Sequence, residues 1–161
     1  MRTYFWLTGF LSLGISLLVA GEPFFWDTIQ LGARHADWFY NQPLSTLLLP
    51  DEMDSGHIPA FGYYLATSFT LFCQTLLFSP LAMFPFICLV LWQVYLLVNK
   101  LDIGFRFATL ALALGVLLLD ATLVAQLSLV SPDIVLIGAF FLGINSILKK
   151  TPIWLGIAVL L

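Results

Sequence analysis

The stretch PLAMFPFICLVLWQVYLLV, residues 80–98, is a long apolar run without a charged side chain. It can cross the hydrocarbon core of a bilayer, because about 20 apolar residues in a helix span about 30 Å. Further apolar runs lie on both sides of it, at residues 4–20, 107–130, 134–148 and 152–161, the last of them roughly half a span. The sequence therefore predicts an all-α polytopic membrane protein, a single transmembrane module over residues 1–161 whose chain continues past the last run.

The composition excludes several classes of protein. Of the 161 residues, 61% are apolar and only 9% are charged, whereas soluble proteins average about 25% charged residues. A formal net charge of −3 without clustered Lys and Arg excludes a nucleic-acid partner. Cys73 and Cys88 lie in apolar runs, where a thiol usually behaves as a small buried hydrophobe. The sequence therefore predicts neither a disulfide nor a cysteine metal site.

The first apolar run, residues 4–20, has two interpretations. It could be a cleaved signal peptide, because Leu18-Val19-Ala20 is a passable small-residue cleavage site. We prefer an uncleaved anchor, since the run is long for a signal peptide and begins with aromatic residues at an interfacial position. It also leads into further spans that need membrane insertion.

The positive residues predict the orientation, because Lys and Arg concentrate on cytoplasmic loops. Those beside the apolar runs are Arg2, Lys100, Arg106, Lys149 and Lys150. Placing all of them in the cytoplasm allows only one of the runs 60–78 and 80–98 to cross. Residues 60–78 carry more hydroxyl and amide side chains, so we predict a juxtamembrane or re-entrant helix there. In the rival topology both runs cross, which puts Lys149 and Lys150 outside.

The loop at residues 21–59 gathers most of the ionisable groups, with six of the nine acidic residues and both histidines. We expect a short interfacial helix over residues 26–40, in which Ile29, Ala33, Ala36 and Tyr40 recur at helical spacing. Asp27 then lies in its first turn, where the helix N-terminus stabilises a carboxylate. Asp27 is either a helix cap or a catalytic group.

A second polar cluster, residues 51–59, comes directly before an apolar run. Carboxylates near an imidazole can bind a divalent cation, or a phosphate through that cation, so Asp54 and His57 are candidate ligands. The alternative is a solvated loop followed by a helix that starts at proline. No cofactor is required by the sequence, and the divalent cation stays an open alternative.

Two carboxylates lie within or beside the later spans. Asp133 follows Pro132 at the head of an apolar run, where helix capping is the simplest role. Asp120, with Gln126, falls inside the predicted span 107–130. An intramembrane carboxylate is costly unless paired, so Asp120 is either functional or a structural hydrogen-bond partner.

The order of motifs along the chain is distinctive. It runs through Trp26-Asp27-Thr28, Ala36-Asp37-Trp38-Phe39-Tyr40, Leu49-Pro50, Asp54-Ser55-Gly56-His57-Ile58-Pro59 and Ser131-Pro132-Asp133. This order resembles the N-terminal portion of membrane glycosyltransferases of the GT-C fold, closest to glycosyltransferase family 39 with the protein O-mannosyltransferases and the bacterial aminoarabinose lipid A transferases. The resemblance covers nearly the whole chain but only the early part of such an enzyme.

The resemblance implies a GT-C transmembrane module with juxtamembrane helices in the first outer loop. Asp27 matches the catalytic base, and Asp54, His57 and Asp133 match substrate-binding positions. Ile58 replaces one proline of a His-Pro-Pro element. The relatives often carry an arginine near the start of the second span, and residues 79–86 contain none.

The implied activity is transfer of a sugar from a polyprenyl-phosphate donor to a lipid, protein or glycan acceptor. The implied location is the outer face of the bacterial inner membrane, with membrane lipids around the spans. Residues 1–161 alone are expected to be inactive. The alternatives are a small transporter or channel component, indicated by Asp120 and Gln126, and an assembly scaffold that docks through the aromatic loop.

Overall fold

A computed structural model of the chain describes residues 2–21, 28–43, 46, 48–53, 59–75, 77–101, 115 and 119–160. Within those residues every regular element is helical. The α-helices are α1 (Arg2–Leu18), α2 (Arg34–Tyr40), α3 (Ala60–Leu71), α4 (Phe78–Ala82), α5 (Phe84–Leu101), α6 (Ala121–Ser128), α7 (Pro132–Lys149) and α8 (Pro152–Leu160). A π-helical segment, Thr28–Ala33, leads into α2, and a 3-10 turn, Asp51–Met53, follows later in the same loop.

Prolines mark the starts of three helices. Pro132 and Pro152 are the first residues of α7 and α8, and Pro59 directly precedes α3. At the first position of a helix the missing N–H of proline is not needed, and the ring already holds φ near its helical value. The positions of these prolines therefore explain where α3, α7 and α8 begin.

Two helical stretches are long and apolar enough to cross a membrane, Phe78–Lys100 and Pro132–Lys149. They contain the predicted runs 80–98 and 134–148. A shorter apolar helix covers Tyr4–Leu18. Of the predicted run 107–130, the structure describes residues 115 and 119–130, of which Ala121–Ser128 form α6. The part of the chain that the structure describes is thus helical, with two helices whose length and composition suit a bilayer.

The chain forms two compact units. The first unit comprises the described residues of Met1–Ile15, Phe84–Leu127 and Asp133–Leu161. The second unit comprises those of Ser16–Met83 and Ser128–Pro132, and therefore holds the polar loop together with α3.

In the first unit, aromatic side chains join α1 to α5. Near the start of α1, Tyr4 stacks on Tyr95 with ring centroids 4.7 Å apart, and Phe5 meets Trp92 edge-on at 5.7 Å. These two contacts place the first turn of α1 beside the C-terminal half of α5. The N-terminus of α1 and the C-terminal half of α5 therefore lie at the same end of this unit.

The helices α5 and α7 run in the same direction. A Cβ placed on Gly138 would lie 3.0 Å from Leu89. Two turns further along α7, the Asn145 side-chain amide donates to Gln93, which lies one turn further along α5. The distances from Asn145 Nδ2 are 2.8 Å to the Gln93 carbonyl oxygen and 3.0 Å to its Oε1. Both polar residues are buried, so these hydrogen bonds join α5 to α7 where water is excluded, while Asn145 Oδ1 has no hydrogen-bond partner among the described residues. Lys100 and Lys149 consequently lie at the same end as the N-terminus of α1.

The second unit is built on the packing of α2 against α3. The buried side of the loop helix consists of Gly32, His35, Ala36 and Phe39, spaced as one face of a helix. This stripe shares the buried Ala36 with the predicted one at Ile29, Ala33, Ala36 and Tyr40, but Ile29 and Tyr40 are exposed. The reason is the π-helical segment before α2, whose wider turns shift the face that meets α3.

Tyr64 joins α3 to α4 inside the second unit. Its hydroxyl donates to the carbonyl oxygen of Ala82 at 2.6 Å. Burial raises the pKa of Tyr64, and a hydrogen bond with the Ser68 side chain opposes that shift by less. The neutral phenol is thus favoured in the folded state, where it can donate.

We expect Tyr64→Phe to lower the free energy of unfolding by about 1 kcal/mol at neutral pH, because it removes the hydrogen bond that the hydroxyl donates to Ala82. Because the pKa of Tyr64 is raised in the folded state, the neutral phenol stabilises the fold at pH values below the unfolded pKa of about 10. This stabilisation is lost as the pH rises through the folded pKa. The difference between wild type and variant should therefore shrink above pH 10. Chemical unfolding in detergent between pH 7 and 11 measures it, and an equal difference at every pH would contradict this assignment.

Candidate functional site

Three segments of the second unit meet at Gly32. A Cβ placed on Gly32 would lie 3.1 Å from the Phe61 ring and 3.6 Å from the carbonyl oxygen of Val130. Gly32 belongs to the segment Thr28–Ala33, Phe61 lies in the first turn of α3, and Val130 lies in the short connection between α6 and α7. A Cβ here would be in ordinary contact with the Val130 carbonyl oxygen and would require the Phe61 ring to move by a few tenths of an ångström.

The candidate residues from the sequence lie next to these segments. Asp27, Asp54 and His57 lie outside the described residues. Asp27 directly precedes the π-helical segment, and His57 comes two residues before Pro59, at the start of α3. The structure therefore locates their neighbours along the chain rather than their side chains.

Asp133 is the one candidate among the described residues. It is exposed and lies in the first turn of α7, where the helix N-terminus favours a negative charge. Ser131, two residues earlier, is buried in the second unit. The Ser131-Pro132-Asp133 motif thus has a buried serine at its start and an exposed carboxylate at its end.

The loop contains two further polar residues that the sequence did not single out. Arg34 Nη2 donates to the carbonyl oxygen of Glu52 at 3.2 Å, and His35 Nε2 donates to that of Met53 at 3.0 Å. His35 is only 1% exposed. The signal that could have revealed it is the spacing of Gly32, His35, Ala36 and Phe39, which matches one face of a helix.

Two other carboxylates have structural partners. Asp120 accepts the Leu123 backbone N–H at 2.8 Å, so it caps the start of α6. This bond is a structural hydrogen bond of the kind predicted for Asp120, and a functional role for Asp120 stays a prediction. Asp37 accepts the Gln74 side-chain amide at 3.0 Å, and this contact ties α2 to the turn after α3.

A divalent cation remains a prediction. Within the described parts of the chain, no group of three His, Cys, Asp or Glu side chains forms a metal site. Both proposed ligands, Asp54 and His57, lie outside those parts. The predicted cation site therefore rests only on the ability of a carboxylate and an imidazole to bind a divalent metal. Carboxylate and imidazole groups are suitable ligands for several divalent metals.

Comparisons of the chain with protein-family models, with curated proteins and with solved structures found no match. The function is therefore inferred from the chain's own residues and from the way its segments meet.

Proposed function

We propose that this protein is a polyprenyl-phosphate-sugar-dependent glycosyltransferase with a GT-C transmembrane module. It transfers a sugar to a lipid, protein or glycan acceptor on the outer face of the bacterial inner membrane. The observation that carries the proposal is the meeting of three segments at Gly32. These segments lie next to Asp27, next to the pair Asp54 and His57, and next to Asp133.

The chemistry requires a base and a site for a phosphosugar at the membrane surface. The Asp27 carboxylate accepts the proton of the acceptor hydroxyl as its oxygen bonds to C1 of the sugar. The bond between C1 and the phosphate oxygen breaks, and polyprenyl phosphate leaves with the electron pair. Asp54, His57 and Asp133 hold the polar groups of donor and acceptor, while the apolar spans hold the isoprenoid tail.

The length of α3 and the charges at the helix ends support an active site on the outer face. With 12 residues, α3 is shorter than the roughly 20 needed for a span, so the proposed topology has no crossing between α1 and α5. Lys100 and Lys149 lie at one end of the first unit, which the positive-inside rule assigns to the cytoplasm. In the proposed topology the loop at residues 21–59 is on the outer face of the membrane.

The transfer itself is tested with membranes that contain the protein expressed from its complete gene. Donors are undecaprenyl-phosphate carrying tritiated mannose, glucose or aminoarabinose, and label is followed into lipid, protein and glycan fractions. Transfer that depends on the protein supports the proposal. No transfer from any of these donors by a protein shown to be in the membrane would count against it. Solute flux in liposomes that depends on Asp120 would favour a transporter instead.

Cysteine labelling tests the orientation. Cys73 is exposed just after α3, so we expect a membrane-impermeant maleimide to label it from outside in intact spheroplasts. In a background with both native cysteines replaced by serine, Lys149→Cys should label only after permeabilisation. The rival topology, in which residues 60–78 cross, predicts the reverse accessibility at both positions. Reversed labelling would therefore overturn the proposed orientation.

A further inference from the structure

Three lysines lie at one end of the first unit. Lys100 is the last residue of the apolar stretch Phe78–Lys100, and Lys149 is the last residue of the stretch Pro132–Lys149. Lys150 follows directly, and all three lysines are exposed. Because α5 and α7 run in the same direction, their C-terminal ends lie side by side. We call Lys100, Lys149 and Lys150 the lysine cluster.

The register of α5 and α7 places Lys100 and Lys149 on the facing sides of the two helices. Gln93 of α5 and Asn145 of α7 are joined by hydrogen bonds of 2.8 and 3.0 Å. Lys100 comes seven residues after Gln93, and Lys149 comes four residues after Asn145. Steps of four and seven residues return to within about 40° of the same face of a helix. The two lysines lie about 10 Å and about 6 Å beyond the hydrogen bonds, a difference of less than one helical turn.

Lys150 has a strained backbone. Its φ is 54°, and in the part of the chain that the structure describes it is the one non-glycine residue with a positive φ. The Lys150 N–H donates to the Ile147 carbonyl oxygen at 3.1 Å, and the Thr151 N–H donates to that of Ser146 at 3.0 Å. This pattern ends a helix with a left-handed residue, which is usually glycine because a Cβ is strained there. Lysine at this position therefore supplies a positive charge where glycine would form a more stable helix end.

The charge of the lysine cluster is not balanced by nearby carboxylates of the described residues. The described part of the first unit contains two carboxylates, Asp120 and Asp133. Asp133 lies in the first turn of α7, at the other end of that helix from Lys149, and Asp120 accepts a backbone N–H of α6. The next charges along the chain after α5, Asp102 and Arg106, are opposite in sign. This end of the first unit is therefore suited to an anion.

From this arrangement we propose that the lysine cluster binds the phosphate of an anionic phospholipid headgroup, such as that of phosphatidylglycerol. The stretches that end at Lys100 and Lys149 are long and apolar enough to cross a bilayer, so their ammonium groups lie at the depth of the headgroups. Neighbouring ammonium groups repel each other, and a phosphate between them replaces repulsion with attraction. This binding does not depend on the proposed sugar transfer.

Native mass spectrometry of the full-length protein in detergent measures the binding of added dioleoyl-phosphatidylglycerol and dioleoyl-phosphatidylcholine. The two lipids have the same acyl chains and differ in the charge of the headgroup. We expect the wild type to bind phosphatidylglycerol about tenfold more tightly or better, since each lysine at an anionic surface adds to the attraction. Equal affinities for the two lipids would overturn the proposal. Displacement of bound phosphatidylglycerol by excess inorganic phosphate would also overturn it, because the site would then bind a free phosphate.

Substitutions test whether the lysine cluster is the binding site. Lys150→Gly removes a charge and relieves the strained backbone, so we expect the affinity for phosphatidylglycerol to fall about three- to tenfold. Its thermal midpoint in phosphatidylcholine should equal or exceed that of the wild type, so weaker binding cannot come from loss of the fold. A triple variant that adds Lys100→Gln and Lys149→Gln should lose the preference for phosphatidylglycerol.

Arg34→Gln is the matched control, because it removes one exposed positive charge from the second unit. It should bind phosphatidylglycerol as tightly as the wild type does. A preference for phosphatidylglycerol that is unchanged in the triple variant would overturn the proposal. A loss of affinity in Arg34→Gln equal to that in Lys150→Gly would overturn it as well, because the effect would then come from net charge alone.

Discussion

Replacing Asp27 with asparagine is expected to lower sugar transfer by about 10²- to 10⁴-fold, the usual contribution of a general base. The amide has nearly the shape of the carboxylate, but it cannot accept the proton of the acceptor hydroxyl. The measurement is the initial rate of label transfer by membranes with equal amounts of the wild-type and variant proteins. Protein amount is set by quantitative immunoblotting.

This substitution also separates the two interpretations of Asp27. Asparagine caps a helix about as well as aspartate does, so Asp27→Asn leaves a capping role intact and removes only the base. Asp37→Asn is the matched control, because Asp37 lies in the same loop and accepts a hydrogen bond from Gln74 that an amide oxygen can also accept. Transfer by Asp27→Asn at the rate of this control would exclude Asp27 as the base.

The helical class and the positions of the most apolar helices could be predicted from the sequence. A long run of apolar side chains without charge has few structural alternatives to an apolar helix. The run at residues 80–98 falls within the helical stretch Phe78–Lys100. The prolines at 132 and 152 also mark helix starts by a local rule that needs no tertiary information. These features depend on residues close together in the chain.

The end of α3 was harder to predict, because no glycine or proline marks it. The helix stops at Leu71, although apolar residues continue. The Phe72 ring stacks on Phe78 at 4.5 Å, and the Thr75 hydroxyl accepts the Phe78 N–H at 3.2 Å. This turn depends on contacts that residues 60–78 form only after folding, and it makes α3 shorter than the apolar run.

In the candidate site, too, some residues can be recognised from the sequence and others only from tertiary contacts. Its acidic residues were recognised from composition, since charge is conspicuous in an apolar chain. His35 was missed because its role depends on which face of the loop helix meets α3, and the π-helical segment before α2 changes that face. His35 is buried and donates to the carbonyl oxygen of Met53, which lies 18 positions further along the chain. The predicted stripe at Ile29, Ala33, Ala36 and Tyr40 could not reveal His35, because it follows a different face of the helix.

Gly62→Ala should be the most destabilising small substitution in the second unit. The new methyl group would overlap the His35 Cβ and lie 3.2 Å from the His35 carbonyl carbon. Neither atom can move without shifting the backbone of α2, so we expect a loss of about 1–3 kcal/mol from overpacking. Alanine also gains up to about 1 kcal/mol of helix propensity, and the observed loss is the difference between these terms.

Gly14→Ala provides the matched control, because Gly14 lies within α1 and a Cβ there meets nothing within 4 Å. It should be neutral or slightly stabilising, since only the propensity term applies. Thermal or chemical unfolding in the same detergent compares the two variants with the wild type. Because Gly62→Ala displaces His35, which donates to the Met53 carbonyl oxygen, the variant should also accelerate hydrogen exchange at the turn Asp51–Met53. Equal stabilities for Gly62→Ala and Gly14→Ala would show that α2 and α3 do not approach each other as closely as the structure places them.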